Sequence, residues 1–212
     1  MVELFINGGN FMWPILAIFI VGLVFVGERL MHLISSSKWG EDFAGEVTET
    51  LDSAGALESQ TICEKGQGPI ANLLLVGLNN IKKGVEGVEK AIDSRANVEM
   101  SSLEKNMTWI ALCIATAPML GFLGTVWGMV SAFDAIAAAD NISAKIVAEG
   151  ISQALLTTAF GLVVAVILQV LQNTVLYIID NKVIAIQKSV NLFLASVEKF
   201  KKKYDYKKKK RS

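Results

Sequence analysis

Residues 106–133 read NMTWIALCIATAPMLGFLGTVWGMVSAF, and none of these 28 residues carries a charge. Two other stretches are also free of charge: residues 4–27 contain 24 residues and residues 150–179 contain 30. About 20 consecutive apolar residues are enough to cross the hydrocarbon core of a bilayer as a helix. The sequence therefore predicts three membrane-spanning helices, and it excludes a soluble globular enzyme.

The basic residues are unevenly distributed, although the chain has a formal net charge of zero. Of the 20 Lys and Arg residues, 8 lie in residues 28–108 and 11 lie after residue 180, whereas residues 1–10 have none. Basic loops stay on the cytoplasmic side of a membrane, so we expect both basic regions to be cytoplasmic and residues 134–150 to face outward. Glu3 is the only charged side chain before the first apolar stretch, which favours a retained span over a cleaved signal peptide.

Helical spacing of apolar residues extends beyond the second and third spans. The first series leads into the second span with no Gly or Pro between residues 88 and 110, and its members are Val85, Val88, Ile92, Ala96, Met100, Leu103, Met107 and Ile110. The second series follows the third span as a heptad seam, formed by Ile179, Val183, Ile186, Val190, Phe193, Val197 and Phe200. We therefore predict two long helices that extend into the cytoplasm and pack either within the chain or on further copies of it.

The predicted fold class is an all-α membrane protein, since no strand-like alternation of useful length occurs in the chain. In chain order the predicted segments are an external segment 1–10, a first span 11–27, a cytoplasmic helical segment 28–84, a long helix 85–133 with the second span at about 109–133, an outward loop 134–150, a long helix 151–200 with the third span at about 151–175, and a basic cytoplasmic tail 201–212.

Small residues form one face of each of the last two spans. They lie at positions i, i+3 and i+7, as Gly121, Gly124 and Gly128 and then as Thr158, Gly161 and Ala165. Small residues let helices approach closely in lipid, and Pro118 frees a backbone carbonyl group within the second span. We expect Pro118 and the small residues Gly121, Gly124, Gly128, Gly161 and Ala165 to pack against a partner helix. The alternative is a tight helix pair with no role in transport.

Polar residues accompany these small faces, but charged residues do not. Gln153 and Thr157 lie one helical turn apart, and Thr125 and Thr158 lie within the small-residue segments. Polar residues inside a span usually face the bundle interior or water, so this pattern predicts a weakly polar wall that lines a pore or surrounds another helix. No span contains Asp, Glu, Lys, Arg or His. Either the chain moves no ions, or a partner chain supplies a titratable carboxylate.

The carboxyl-terminal tail is basic and carries interleaved aromatic residues. We expect it to fix the topology and to contact anionic lipid headgroups rather than nucleic acid, through Lys201, Lys202, Lys203, Lys207 and Lys208. No constellation of nucleophile, base or metal ligands occurs, so we predict no enzyme activity, no cofactor and no metal site. Cys63 and Cys113 imply no disulfide, and the single His32 cannot form a metal site alone.

Residues 117–129, APMLGFLGTVWGM, and residues 150–162, GISQALLTTAFGL, resemble the MotA/TolQ/ExbB proton-channel family. The three-span topology resembles the ExbB/TolQ branch more closely than the flagellar stator branch, which typically has four spans. The resemblance implies a homopentamer in the bacterial inner membrane around two copies of a single-span partner similar to ExbD or TolR. The amino terminus and the outward loop would then be periplasmic.

The resemblance also implies roles for particular residues. A transmembrane Asp of the partner would carry the proton between threonines of the pentamer, which correspond by motif position to Thr125 and Thr158. The family motif commonly has Glu where this chain has Gln153, which forms hydrogen bonds but does not titrate. The predicted function is a motor subunit that couples proton flow to an envelope or outer-membrane process. The alternative, from another class, is a non-conducting oligomeric membrane scaffold.

Overall fold

The computed structural model of the chain describes residues 2–35, 41–138 and 144–211. These ranges contain helices and no strand. The helices are α1 (Val2–Asn7), α2 (Met12–Ser35), α3 (Glu41–Ser53), α4 (Ala56–Lys65), α5 (Pro69–Asn79), a 3₁₀ turn (Ile81–Lys83), α6 (Val85–Leu103), α7 (Met107–Ala138) and α8 (Ala144–Arg211). The predicted all-α fold class is therefore confirmed for the described residues.

Three helical regions are long and apolar enough to cross a membrane: Met12–Ile34, Val85–Ala138 and Val147–Lys202. They contain residues 12–27 of the first charge-free stretch and the whole of the other two, 106–133 and 150–179. Burying a charged side chain in a bilayer costs several kcal/mol, about 3 kcal/mol at the centre of a helix on insertion scales. The chain is accordingly a membrane protein with three candidate spans.

The chain divides into two compact units. The first contains Met1–Leu30 and Asn106–Leu176, and the second contains Met31–Lys105 and Tyr177–Ser212. Within the first unit, α2 packs on α7 and α8. The buried core of this contact consists of Ile15, Cys113, Ala117, Val164 and Leu168. A Cβ atom added at Gly22 would lie 2.8 Å from Leu168 Cδ1, so Gly22 allows α2 and α8 to approach closely.

The second unit is a bundle of short helices against the last part of α8. Helix α3 packs on α4 and α5, and α5 packs on α4 and α6. Proline at the first position of a helix and glycine before it are typical of a helix start, and α5 begins in this way at Pro69 after Gly68. Helix α5 buries its apolar residues Ile70, Ala71, Leu73, Leu74 and Leu78.

The heptad seam of α8 lies on the buried side of that helix. Ile179, Ile186, Phe193 and Val197 are all buried. A Cβ atom added at Gly77 would lie only 2.6 Å from Phe193 Cε1, so the Phe193 ring sits directly on the backbone of α5. The seam predicted packing either within the chain or on further copies of it, and at Phe193 the structure shows packing within the chain.

The predicted unbroken helix over residues 85–133 is wrong at one point, because α6 ends at Leu103 and α7 begins at Met107. Asn106 has a φ angle of 64°, in the left-handed region that Asn tolerates better than most residues. Apolar periodicity could not reveal this break, because Val88, Ile92, Leu103 and Met107 are buried on both sides of it.

Other predicted boundaries also shift. Helix α2 continues beyond residue 27 to Ser35. Helix α7 extends to Ala138 and α8 begins at Ala144, so both helices enter the predicted loop 134–150, whose central residues 139–143 lie outside the described residues. Helix α8 also continues through the predicted tail to Arg211, although the side chains of Lys203, Lys207 and Lys208 lie outside the described ones.

Candidate functional site: the α7–α8 helix pair

The small-residue faces of α7 and α8 lie against each other. A Cβ atom added at Gly161 would be 2.6 Å from the Ala117 carbonyl oxygen and 3.2 Å from Gly121 Cα. One added at Gly121 would be 3.0 Å from both the Thr157 carbonyl oxygen and Thr158 Cα. At this crossing the two helices therefore touch through their backbones, which only residues without a large side chain allow.

The same packing continues along both helices. A Cβ atom added at Gly124 would be 2.6 Å from Thr157 Oγ1, and one added at Gly128 would be 3.2 Å from Ala154 Cβ. At the end of the pair, Gly150 packs on Ala132. We call this row of interlocking small residues the glycine zipper. The sequence analysis did not identify three of its members, Ala132, Gly150 and Ala154. The available signal was spacing: Ala132 lies four residues after Gly128, Ala154 four before Thr158, and Gly150 four before Ala154.

The glycine faces, which we expected to contact a partner helix, pack within the chain. The spaces beside Gly121, Gly124, Gly128 and Gly161 are filled by the facing helix of the same chain, and contact of this helix pair with a partner helix stays a prediction. Ala165 is also buried and Pro118 is half-buried. The alternative that the sequence analysis left open, a tight helix pair, is the arrangement of these four glycines.

The threonine hydroxyl groups have two different kinds of partner. Thr158 Oγ1 donates a hydrogen bond to the carbonyl oxygen of Gly121, 2.9 Å away on the other helix. Thr125 Oγ1 donates to the Phe122 carbonyl oxygen on its own helix at 2.6 Å. A bond within one helix leaves a hydroxyl free to reorient without disturbing helix packing, whereas the Thr158 bond joins α7 to α8.

Thr157 is the most deeply buried of the predicted pore residues, with 1% of its surface exposed. Its hydroxyl donates to the Ala154 carbonyl oxygen at 2.8 Å, and its side chain fills the space beside Gly124. The structure therefore places Thr157 inside the helix pair. Thr125 and Thr158 are half-buried.

Gln153 is half-buried and lies against the turn before α2. Its side-chain amide occupies the space where a Cβ atom of Gly9 would be, and Gly9 has a φ angle of 74°. Glycine adopts this left-handed conformation without strain. Gln153 and Thr157, which the sequence analysis paired, are joined only by a 3.4 Å bond from the Thr157 hydroxyl to the Gln153 backbone oxygen among the described contacts.

A charged cluster that the sequence analysis missed lies at the end of the first apolar stretch. Arg29 is buried, with 2% of its surface exposed, and its guanidinium donates to Glu28 Oε1 at 2.6 Å. Asn106 Nδ2 donates to Glu28 Oε2, also at 2.6 Å. Because Glu28 and Asn106 are distant in sequence, neither residue alone signalled this cluster.

The remaining chemistry of the described residues is limited. Among them, no group of three or more His, Cys, Asp or Glu side chains is placed to hold a metal ion. Cys63 is buried in the second unit, and burial raises the pKa of its thiol from 9.0 to about 12 because the thiolate would lose its hydration. At neutral pH this thiol is therefore protonated and a poor nucleophile.

The fold and the helix pair define a class: an all-helical membrane protein with three candidate spans, two of them joined by a close-packed zipper of small residues. The model of the MotA/TolQ/ExbB proton channel family matches residues 65–188, which is more than half of the chain. The chain belongs to the MotA/TolQ/ExbB proton channel family.

Individual relatives come from the ExbB and TolQ branch. An ExbB homolog from Methanothermobacter thermautotrophicus is 32% identical over 182 residues, covering 85% of this chain and 64% of the relative. The biopolymer transport protein ExbB of Pseudomonas putida is 28% identical over 174 residues, covering 73% and 53%. The Tol-Pal system protein TolQ of Haemophilus influenzae is 37% identical over 82 residues, covering 39% and 36%. This chain thus spans less than two thirds of the length of each of these relatives.

Proposed function

We propose that this chain is the ExbB/TolQ-like subunit of an inner-membrane motor driven by the proton-motive force. In this proposal, copies of the chain form a pentamer around two copies of a single-span partner similar to ExbD or TolR. The partner's transmembrane Asp carries protons, and the motor drives an envelope or outer-membrane process such as transport. Its amino terminus is periplasmic, and its second unit and carboxyl terminus are cytoplasmic.

The observation that carries this proposal is that α7 residues 107–133 and α8 residues 150–179 contain no Asp, Glu, Lys, Arg or His. A proton path through a membrane needs groups that bind and release protons, commonly carboxylates. Members of a proton channel family that lack such a group in their spans need another chain to supply it. A single-span partner with a membrane carboxylate meets this need.

The outward face of α7 supports assembly with other chains. The side of this helix opposite the glycine zipper exposes large apolar side chains, namely Met119, Phe122, Leu123, Val126, Trp127, Val130 and Phe133. Half-buried Thr125 lies one turn after Phe122, between this exposed side and the glycine face, and its hydroxyl bonds only within its own helix in the described contacts. In our proposal Thr125 turns its hydroxyl toward the partner carboxylate, while the apolar residues face lipid or neighbouring copies.

Thr158 has a second role in the proposal. Its hydroxyl spans the helix pair to the Gly121 carbonyl oxygen, so it fixes the position of the α7 wall. A deprotonated partner Asp would attract the hydroxyl groups of Thr125 and Thr158. A protonated Asp carries no charge, so it can lie against the apolar residues beside them at a lower cost.

Co-expression with the neighbouring single-span protein, followed by native mass spectrometry, tests the assembly. We expect a complex with five copies of this chain and two of the partner. A homo-oligomer that never retains a second chain would remove the source of the carboxylate, and the chain would then be better described as a non-conducting scaffold.

Proton flux into liposomes tests the residues. We expect Thr125→Val to reduce flux through the reconstituted complex, because it removes a hydroxyl from the proposed pore. The matched control is Thr116→Val on the same helix, since the Thr116 hydroxyl donates to Leu112 within α7 in the same way. Equal proton flux in Thr125→Val and Thr116→Val would contradict the role of Thr125. If Thr125→Val and Thr158→Val both assembled normally and left the flux unchanged, the proposed pathway through the threonines would be contradicted as a whole.

A further inference from the structure

A cavity in the second unit has a chemistry that the proposed motor does not use. It has a volume of about 540 Å³ and lies between the 3₁₀ turn and the last part of α8. Its lining consists of Ile81, Lys82, Lys83, Gly84, Val197, Phe200 and Lys201. Cavities of this volume are in the range that holds small molecules.

Three of the seven lining residues are lysines from two separate elements. Lys82 and Lys83 belong to the 3₁₀ turn, and Lys201 belongs to α8. No ion pair joins any of them to a carboxylate in the described part of the chain, although the adjacent Lys202 pairs with Glu198 at 2.7 Å. Lys82, Lys83 and Lys201 are exposed, so their ammonium groups are accessible to an anion that enters the cavity.

The Lys201 side chain is directed at the 3₁₀ turn. A Cβ atom added at Gly84, which has a φ angle of 84°, would lie 3.0 Å from Lys201 Nζ. The missing side chain at Gly84 therefore lets the ammonium group approach the backbone beside Lys82 and Lys83. The opposite part of the lining is apolar, since it contains Ile81, Val197 and the half-buried ring of Phe200.

We propose that this cavity binds a phosphate-bearing small molecule with an aromatic or apolar group, of the size of a mononucleotide. The three lysines would bind the phosphate groups through charge-assisted hydrogen bonds, and Phe200 with Val197 would contact the base or another apolar group. The site is independent of the proposed motor function, because none of its residues belongs to the small-residue faces of α7 and α8 or to the proposed pore threonines.

Two sources can supply such a phosphate, a soluble metabolite or a lipid headgroup. Asp180 is the first charged residue after the third apolar stretch. Lys201 lies about 30 Å further along the same helix, from a rise of about 1.5 Å per residue. This separation from the end of the apolar segment favours the soluble source.

The test is a binding titration of the full chain in a neutral detergent. The probes are a fluorescent N-methylanthraniloyl-ADP, inorganic pyrophosphate as competitor, and short-chain dihexanoyl phosphatidylglycerol with dihexanoyl phosphatidylcholine as its neutral control. We expect saturable binding of the ADP probe that pyrophosphate displaces. Lys201→Gln should weaken binding roughly tenfold or more, since it removes a charge-assisted contact.

Lys202→Gln is the matched control, because it removes the same charge from the next position of α8 but lies outside the cavity. It should leave the affinity unchanged, and Phe200→Leu should weaken the ADP probe more than pyrophosphate. Binding of phosphatidylglycerol alone, dependent on Lys201 but not on Lys202, would assign the same site to a lipid headgroup. Equal effects of Lys201→Gln and Lys202→Gln, or no saturable binding of any probe, would overturn the proposal.

Discussion

The Thr158 hydroxyl donates a hydrogen bond to the carbonyl oxygen of Gly121, 2.9 Å away on the opposite helix. Gly121 makes this bond possible, because a Cβ atom there would lie 3.0 Å from Thr158 Cα. One of the two proposed pore threonines therefore joins α7 to α8. Substitutions at Thr158 test both packing and proton transfer, and the two effects have to be separated.

Thr158→Val should lower the thermal midpoint of the detergent-solubilised chain, because it removes the interhelical bond. Hydrogen bonds between membrane helices contribute about 0.6 kcal/mol on average and up to about 1.7 kcal/mol. Thr158→Ser keeps a donor and should retain most of the stability. Thr174→Val is the control, since the Thr174 hydroxyl bonds only to Val170 of its own helix among the described contacts. A loss in Thr174→Val as large as that in Thr158→Val would contradict this account.

Gly161→Ala should destabilise the helix pair. The added methyl group would be 2.6 Å from the Ala117 carbonyl oxygen, and a backbone atom cannot move away as a flexible side chain can. Overpacking of this kind typically costs about 1–3 kcal/mol. Differential scanning fluorimetry measures the resulting fall in the unfolding midpoint.

The matched substitution for Gly161→Ala is Gly27→Ala in α2. A Cβ atom at Gly27 meets no other atom within 4 Å, and alanine is the better helix former. We therefore expect no loss of stability there. If both glycine variants lost stability equally, the close approach of the two helices would not be its cause.

The connection between α6 and α7 depends on two properties of Asn106. It adopts a φ angle of 64°, and its side chain donates to Glu28 Oε2 at 2.6 Å. Asn106→Gly removes the hydrogen bond but leaves a residue that adopts this φ angle without strain. Asn106→Ala removes the same bond and keeps a Cβ atom in the left-handed region, which Ala tolerates less well than Asn, at a cost of about 1–2 kcal/mol. Thermal unfolding should therefore rank wild type above Asn106→Gly and Asn106→Ala lowest. The reverse order of the two variants would show that the backbone conformation at this position is unimportant.

Cys63 should show a pH dependence that follows from its burial. Its pKa is raised to about 12, whereas the unfolded thiol has a value near 9.0. A folded pKa above the unfolded one gives stability that is complete below pH 9 and is lost as the pH rises toward 12. Peptide mapping after N-ethylmaleimide treatment at neutral pH should find Cys63 unmodified in the folded chain and modified in denaturant.

The comparison variant for the alkaline effect is Cys63→Ala. Many lysines also titrate in this range, so only the difference between wild type and this variant reports on the thiol. We expect the variant to lose less stability than wild type between pH 9 and 12. Identical alkaline unfolding curves would contradict a buried, protonated thiol.

Local composition was enough to predict the three apolar helices, the all-α fold class and the small-residue character of α7 and α8. The physical reason is that the cost of placing charge in a bilayer depends on each stretch by itself. Each charge-free stretch could therefore be recognised as a candidate span from its own composition, as residues 4–27, 106–133 and 150–179 show. The motifs at residues 117–129 and 150–162 predicted the family for a related reason, because each of them is a continuous segment of sequence.

The tertiary structure alone decided what each face of these helices meets. The spacing of Gly121, Gly124 and Gly161 showed that something approaches closely, but the same spacing fits a partner helix or a helix of the same chain. Only the three-dimensional arrangement placed Gly161 on the Ala117 carbonyl group. It likewise brought Asn106 to Glu28. Such contacts join residues that are distant in sequence, and their free energy depends on both partners, so no single stretch of the sequence contains the information that selects them.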